Sequence, residues 1–460
     1  MAKLVASFAE MIEARPAVSL HLHTPAHQGR GTAKGLMPSQ VFARDLPYFT
    51  RARLAAFENR VASHYGTKQT ICLTSGTTSG CLAAVLALSR RHRSVWVVRN
   101  CHKSIVNGMI LSGLEPRFLR PEGSVPTADE LEARFSAAEA RADRSARSGG
   151  AAGSGAPTAI IFTNPTFEGW GMDIAACVEV CRRHGLEIVV DESHGSHWPG
   201  SPALPQSALG HDVDIVLHSL HKYTGALVQT ALVHLPAASR LTPQEMSQGL
   251  DLLETTTLSN LLLLSVERAV DRLFDPATAP QIARLVDEMS GVRRRQHNGD
   301  GLLRAYVPEY ASVSDPLKLF LTTEHAGADQ VARWFYEAGV DHEFYDANGV
   351  LFIFSFLNTL ADLKRFERAC RQVKPLLLAS PGYLVRAQVG MNDPEMAMTP
   401  RAAHYAARER VEVGQAQGRV AAELIATCPP GWPVLIPGEV VGPWHAATLG
   451  ESYLIDVVKL

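Results

Sequence analysis

The chain has 460 residues, 46% hydrophobic and 20% charged, with a net charge of −2. That length holds two or three domains and a large core, and the balance is that of an ordinary soluble globular protein. The near-neutral charge gives no electrostatic case for nucleic acid or an anionic membrane as partner.

No apolar run is long enough to span a bilayer, and the first 21 residues lack a signal-peptide core. Seven cysteines are scattered without CxxC pairs, which predicts reduced, mostly buried thiols and a cytoplasmic protein. In chain order, "QTICL" (69–73) reads as a short strand ending at a Ser-Gly-Thr turn, and "TTSGCLAAVLALSR" as a helix with small residues at its start. "SVWVV" (94–98) is the next strand, "SIVNGMILSG" a helix closed by Gly113, and "PRFL" a short strand. "TADELEARFSAAEARA" opens at Thr127 with Glu130 three residues on, a capping-box pattern. "ARSGGAAGSGAP" is a loop by composition. The strand "AIIFT" follows, then the helix "IAACVEVCRRHG" ending at Gly185, then the strands "LEIVVDE" and "DIVLHS". Beyond about Val270, "LKLFLTT" and "GVLFIFSFL" read as strands of a smaller α+β region, with helices in "GADQVARWFYEAGV" and "TLADLKRFERAC".

Strands alternating with helices predict an α/β protein with a mostly parallel sheet, which binds ligands beyond the carboxyl ends of its strands. Those ends carry Ser75, Thr77 and Thr78; Asn100 and His102; Asn164 and Thr166; Asp191 and His194; and Ser219, His221 and Lys222. Polar residues commonly end strands, but five ends bearing chemically useful groups predict one shared site.

Lys222 lies in "SLHKYTG" (219–225), after the apolar run 215–217 and before small residues. An isolated lysine is normally a solvated surface charge. One partly desolvated here has a lowered pKa and a neutral amine able to form a Schiff base, as lysine does with the aldehyde of pyridoxal 5'-phosphate (PLP). Such a cofactor needs backbone N–H groups and hydroxyls at a helix N-terminus for its phosphate. "SGTTSG" (75–80) offers these, though the same residues cap ordinary helices. The pyridine nitrogen needs a carboxylate; Asp191 at the end of "LEIVV" suits it, or else it caps the next turn. His102 can stack on the ring, or is an ordinary loop histidine. His21, His23, His27, His194 and His197 are interrupted by proline and glycine, without HExxH or CxxC, so no metal is expected.

These segments together resemble the Orn/Lys/Arg decarboxylase family, PLP-dependent enzymes of fold type I (aspartate aminotransferase-like), in the short bacterial form. The resemblance runs nearly end to end: "HTPAHQGRG", "LTSGTTSG", "RNCHKSIVNGMILSGLEP", "TNPTFEGWGMDI", "VDESHGSHW", "VLHSLHKYTGALVQTALVHL", "MTPRAAHYAARERV" and "PPGWPVLIPGE" follow in the family's order. It implies an N-terminal arm used in oligomerisation (1–55), a PLP-binding large domain (56–270), and a smaller C-terminal region (271–460). Lys222 becomes the Schiff-base lysine, Asp191 the partner of the ring nitrogen, and His102 the ring stack. Ser75, Gly76, Thr77, Thr78, Ser219 and His221 hold or border the phosphate, and His194 sits near the ring oxygen. The resemblance also implies a homodimer or larger assembly with its site at the interface.

The expected reaction is decarboxylation of arginine, lysine or ornithine, with His221 or Lys222 returning a proton to the α-carbon. Glu168 and Glu439 are the carboxylates expected to meet the substrate's distal charge. The chain departs from the family at Ala26 and Gln28, at Ser193, and at residues 167–170, all of them expected to face the substrate. α-Proton abstraction leading to elimination, cyclisation or transamination is therefore an alternative. A non-catalytic regulatory paralogue is another, opposed by the intact Lys222 and Asp191.

Overall fold

The structure, a computed structural model, describes residues 20–22, 51–147, 155–255, 258–297, 301–380, 395–426 and 431–459. His23, His27, Ala26 and Gln28 lie outside these residues, as does most of the expected arm. Leu20–Leu22 pairs in parallel with Val340–His342.

Seven strands make the central sheet: β1 (Gln69–Leu73), β2 (Ser94–Val98), β3 (Glu115–Leu119), β4 (Ala159–Thr163), β5 (Glu187–Asp191), β6 (Ile215–Ser219) and β7 (Ala231–Leu235). Their spatial order is β1-β7-β6-β5-β4-β2-β3. β3, β2, β4, β5 and β6 are mutually parallel, and β7 is antiparallel to both β6 and β1. Two reversals cancel, so β1 runs with the other five and β7 alone runs against them. β4, β5, β6 and β7 are buried at every residue, which is why they read as continuous apolar runs.

This topology sends the carboxyl ends of β1, β2, β4, β5 and β6 to one edge. Register tightens the cluster: Thr163 pairs with Asp191, Asp191 with Leu217, and both Ser219 and Leu73 with Ala231. The turn after Leu73 and the turn after Ser219 therefore sit side by side.

Helices α1 (Arg51–Tyr65), α2 (Gly76–Ser89), α3 (Lys103–Ser112), α4 (Ala128–Arg147) and α5 (Ile174–Arg183) connect and cover the strands. α2 is apolar nearly all round because it is buried, and a Cβ at Gly80 would stand 3.1 Å from Leu73, Leu217 and Val233. The Thr127–Glu130 capping box forms as expected, with Glu130 N–H donating to Thr127 Oγ1 and Thr127 N–H to Glu130 Oε2. Gly113 ends α3 in the left-handed region at φ 80.

Lys222 lies in the one-turn helix α6 (Leu220–Tyr223). The change of pattern at Val270 falls within α7 (Asn260–Leu273), which is followed by α8 (Thr278–His297). A four-stranded antiparallel sheet then forms from β8 (Arg304–Ala305), β9 (Lys318–Thr322), β10 (Phe344–Tyr345) and β11 (Val350–Ile353), in the order β8-β9-β11-β10. With α9 (Ala328–Glu337) and α10 (Leu360–Leu378) it shares one apolar core with α1, α7 and α8. Residues 408–458 hold a separate small core that includes Val413, Leu435, Val441 and Ile455. All six cysteines among the described residues are buried and free, and no helix among those residues is long and apolar enough to cross a membrane.

Candidate active site

β6 delivers Lys222 to the sheet edge, and its Nζ lies 2.6 Å from Nε2 of His194. Burial lowers the Lys222 pKa, and the charges of Asp191, Glu343 and Cys81 partly oppose that. The lysine is therefore a held amine in a pocket, not a solvated charge.

Asp191 closes β5 and is 4% exposed. Its Oδ1 accepts from the Ser193 backbone N–H at 3.1 Å and from the Ser193 hydroxyl. Among the described residues, Oδ2 has only the thiol of Cys81, at 3.9 Å. One oxygen of Asp191 thus caps the turn, as the alternative reading has it, and the geometry leaves the other compatible with a protonated ring nitrogen. Ser193 holds Oδ1 with both its N–H and its hydroxyl.

His102 caps α3, with its Nδ1 accepting from Ser104 N–H at 3.2 Å. Burial lowers its pKa, the charge of Asp191 opposes that, and the charge of Lys222 adds to it. Gly431, at φ 89, crosses the far edge of the ring: a Cβ there would be 2.6 Å from His102 Cδ2. Only glycine fits that backbone and that gap.

At the phosphate-type turn, Gly76 is left-handed at φ 79 and its N–H donates to Gln229 O at 2.8 Å. Ser75 Oγ is bonded to Glu254 and Ser79, and Thr78 is exposed. The Thr77 hydroxyl is buried at the N-terminus of α2 and has no partner among the described residues. A buried hydroxyl left bare beside helix N–H groups is what a phosphate oxygen would satisfy. Ser219 Oγ and His221 Nδ1 are 3.3 Å apart, and His221 Nδ1–H donates to Thr230 O at 3.2 Å. Burial, then Lys222, pushes the His221 pKa down to about 4. The residues present fit PLP: an amine, a free carboxylate oxygen, a flat ring and a bare hydroxyl at a helix N-terminus.

The two expected substrate carboxylates separate. Glu168 is 8% exposed, its pKa is raised by burial, and its Oε2 has no partner among the described residues. Its neighbour Phe167 meets the His194 ring edge-on at 5.2 Å. Glu439 does not offer a free carboxylate, which corrects the expectation for it. It is 1% exposed, 3.4 Å from Arg99 Nη2 and 3.5 Å from His445 Nε2, and it accepts from Ile436 N–H at 3.1 Å. An acid already paired with cations inside the fold is poorly placed to meet a further one on a substrate.

Three groups in the pocket were not anticipated. Lys318, 2% exposed, donates to Thr166 O and Phe167 O at 3.3 and 2.9 Å, and burial pushes its pKa down to about 7. Glu343 acts by charge on both Lys222 and Lys318. The Tyr223 hydroxyl reaches His194 Nδ1 at 3.0 Å. Lys318 comes from the second sheet and Glu343 from the bend just before β10, about a hundred residues further along the chain, and Lys318 stands between apolar neighbours as a surface lysine on a strand can.

Comparison with known proteins bears on the family and the fold. Residues 53–312 match the Orn/Lys/Arg decarboxylase major domain and residues 384–454 its C-terminal domain. An arginine decarboxylase of Halalkalibacterium halodurans is 27% identical over 85% of this chain and 79% of its own length. The lysine decarboxylase LdcF of Francisella novicida superposes at a TM-score of 0.72 and 16% identity, over 92% of this chain and 74% of the other. SPT with PLP, at a TM-score of 0.55 and 16% identity over 77% and 87%, shares the fold. With two of that family's domains matched in order across most of its length, the chain belongs to the Orn/Lys/Arg decarboxylase family.

Proposed function

We propose that the chain decarboxylates a basic amino acid (arginine, lysine or ornithine) to the corresponding amine, with PLP held on Lys222 and two or more copies assembled. The observation that carries the substrate class is Glu168, a buried carboxylate with one oxygen bare among the described residues, whose neighbour Phe167 packs on His194. Thr166 and the Lys318 charge only partly offset the cost of burying it, and a guanidinium or ammonium arriving at the bare oxygen would offset more.

PLP, when bound, supplies an aldehyde for the substrate amine and a ring that takes up the electron pair left as the carboxylate departs. Lys222 Nζ would hold the cofactor through its aldehyde, and Asp191 Oδ2 would keep the ring nitrogen protonated. His102 would stack on the ring, and Thr77 with the N–H groups of α2 would hold the phosphate. His221 is neutral at pH 7, since its pKa is about 4. A neutral imidazole is a very weak acid, and its Nδ1–H is already donated to Thr230 O, so we assign return of the proton to the α-carbon to Lys222 Nζ.

Incubation of the purified protein with arginine, lysine and ornithine, with products identified by mass, tests the reaction. One of agmatine, cadaverine or putrescine is expected. Glu168→Gln should weaken binding of that substrate about a hundredfold while leaving cofactor affinity unchanged, as an unpaired buried cation costs several kcal/mol. A keto acid, or a cyclic or eliminated product, would replace decarboxylation by α-proton chemistry.

A further inference from the structure

Tyr223 follows Lys222 directly and is 0% exposed. Its ring is held by two neighbours. It stacks on His197 at 4.5 Å with 25° between planes, and the Lys318 ammonium stands 5.2 Å from its centroid. His197 in turn lies 3.1 Å from Asp315, which also accepts from Trp198 Nε1 at 3.1 Å and from Leu317 N–H at 2.9 Å. The phenol is thus held by a buried scaffold, with little freedom to turn.

The hydroxyl has one described bond, to Nδ1 of His194, and the other nitrogen of that ring faces Lys222. A buried hydroxyl keeps its proton and must find it an acceptor. Burial pushes the Tyr223 pKa well above its ordinary value, so the proton stays on oxygen and is donated. Nδ1 then supplies the lone pair, and the ring's own proton sits on Nε2. An Nε2–H has no lone pair for an ammonium; it can only donate, and the lone pair 2.6 Å away is that of a neutral amine. We propose that Tyr223 is a positioning residue: it fixes His194 as the Nε2–H tautomer, and that tautomer holds Lys222 as the neutral nucleophile.

The charges around this chain act in the same direction or against it, and each is identified. On His194 they are Lys222, Lys318, His102 and His221, all lowering its pKa after burial has done so. On Lys222 they are Asp191, Glu343 and Cys81, all favouring the ammonium. Three acidic groups thus pull Lys222 toward its charged form, and the Nε2–H donor opposes them from the nearest position of all.

The inference rests on Lys222 being the Schiff-base lysine, and two measurements separate its failure from failure of that reading. Both use the full chain freed of cofactor. In histidine-15N-labelled protein, with the His194 signals assigned by their loss in His194→Gln, Nδ1 should be the unprotonated nitrogen. A bare Nε2 overturns the proposal, and this readout needs no Tyr223 variant to fold. In the second, pyridoxal is trapped with borohydride as a function of pH. Nζ attacks the aldehyde carbon, the oxygen leaves as water, and hydride reduces the C=N bond to a stable amine. Wild type should carry the label on Lys222. A Tyr223→Phe variant with an unchanged circular dichroism spectrum should label along a profile shifted about one pH unit to the alkaline side, about tenfold slower at neutral pH. A profile within a factor of two of wild type overturns the proposal. Label on a different lysine in wild type instead ends the reading of Lys222.

Discussion

Asp191 shows how a single side chain divides its work. Its Oδ1 is committed to Ser193, and its Oδ2 has only a distant thiol among the described residues. Asp191→Asn keeps an oxygen for the Ser193 N–H and so keeps the turn, but it removes the charge that would hold a proton on a ring nitrogen. Turnover should fall on the order of 10²–10³-fold, the scale for losing one fixed electrostatic contact in a closed site. The melting curve should change little. Near-normal turnover in a folded, cofactor-loaded variant would remove this role. That Lys222, Asp191 and His102 lie near one another was legible in the sequence, because Asp191 ends an apolar strand and the other two lie three and four residues past the ends of apolar strands. Lys318 was not, because "LKLFLTT" gives no sign that its lysine faces inward to the carbonyls of Thr166 and Phe167. Nor was the fate of Glu439, whose partner Arg99 lies 340 residues away in the chain.

At the scale of elements, the strands read from short apolar runs agree with the structure, since buried parallel strands carry little else. β7 was not read as a strand. "ALVHL" carries His234, which is fully buried and bonded to Thr70 and His218, and the direction of a strand leaves no trace in its composition. The reversal of β7 is nevertheless what places the cradle turn beside Lys222. The site depends equally on two helix starts, α2 with Thr77 and α3 capped by His102. The two helices approach at Gly108, where a Cβ would stand 2.8 Å from Val85 Cβ. A branched carbon at that distance cannot swing aside. Gly108→Ala should therefore separate α2 from α3 and cost about 1–3 kcal/mol in stability. The separation moves the cradle relative to the ring stack, so PLP titration should also show weaker binding. A variant with wild-type urea midpoint and wild-type affinity would show that the helices tolerate a wider spacing.

Across the whole molecule, the C-terminal unit is fastened where the site needs support. Arg99, one residue past β2, donates to Pro433 O at 2.7 Å and pairs with Glu439, while Lys103 N–H donates to Gly431 O at 2.9 Å. Arg401 Nη1 reaches back to Ile110 O at 3.1 Å on α3. The same docking that buries Arg99 and Glu439 sets Gly431 over His102. A buried pair of this kind contributes little net stability over an apolar pair, but breaking it from one side leaves an uncompensated charge. Glu439→Gln keeps an acceptor for Ile436 N–H and strands the Arg99 guanidinium, a loss of about 3–5 kcal/mol. Arg99→Met with Glu439→Met removes both charges and should lose clearly less than the two single changes added together. Urea midpoints for the four proteins of this cycle measure the coupling, and PLP titration of the same set reads its effect on the ring stack. Strictly additive losses would show that the two charges act independently and that other contacts hold the C-terminal unit over the site.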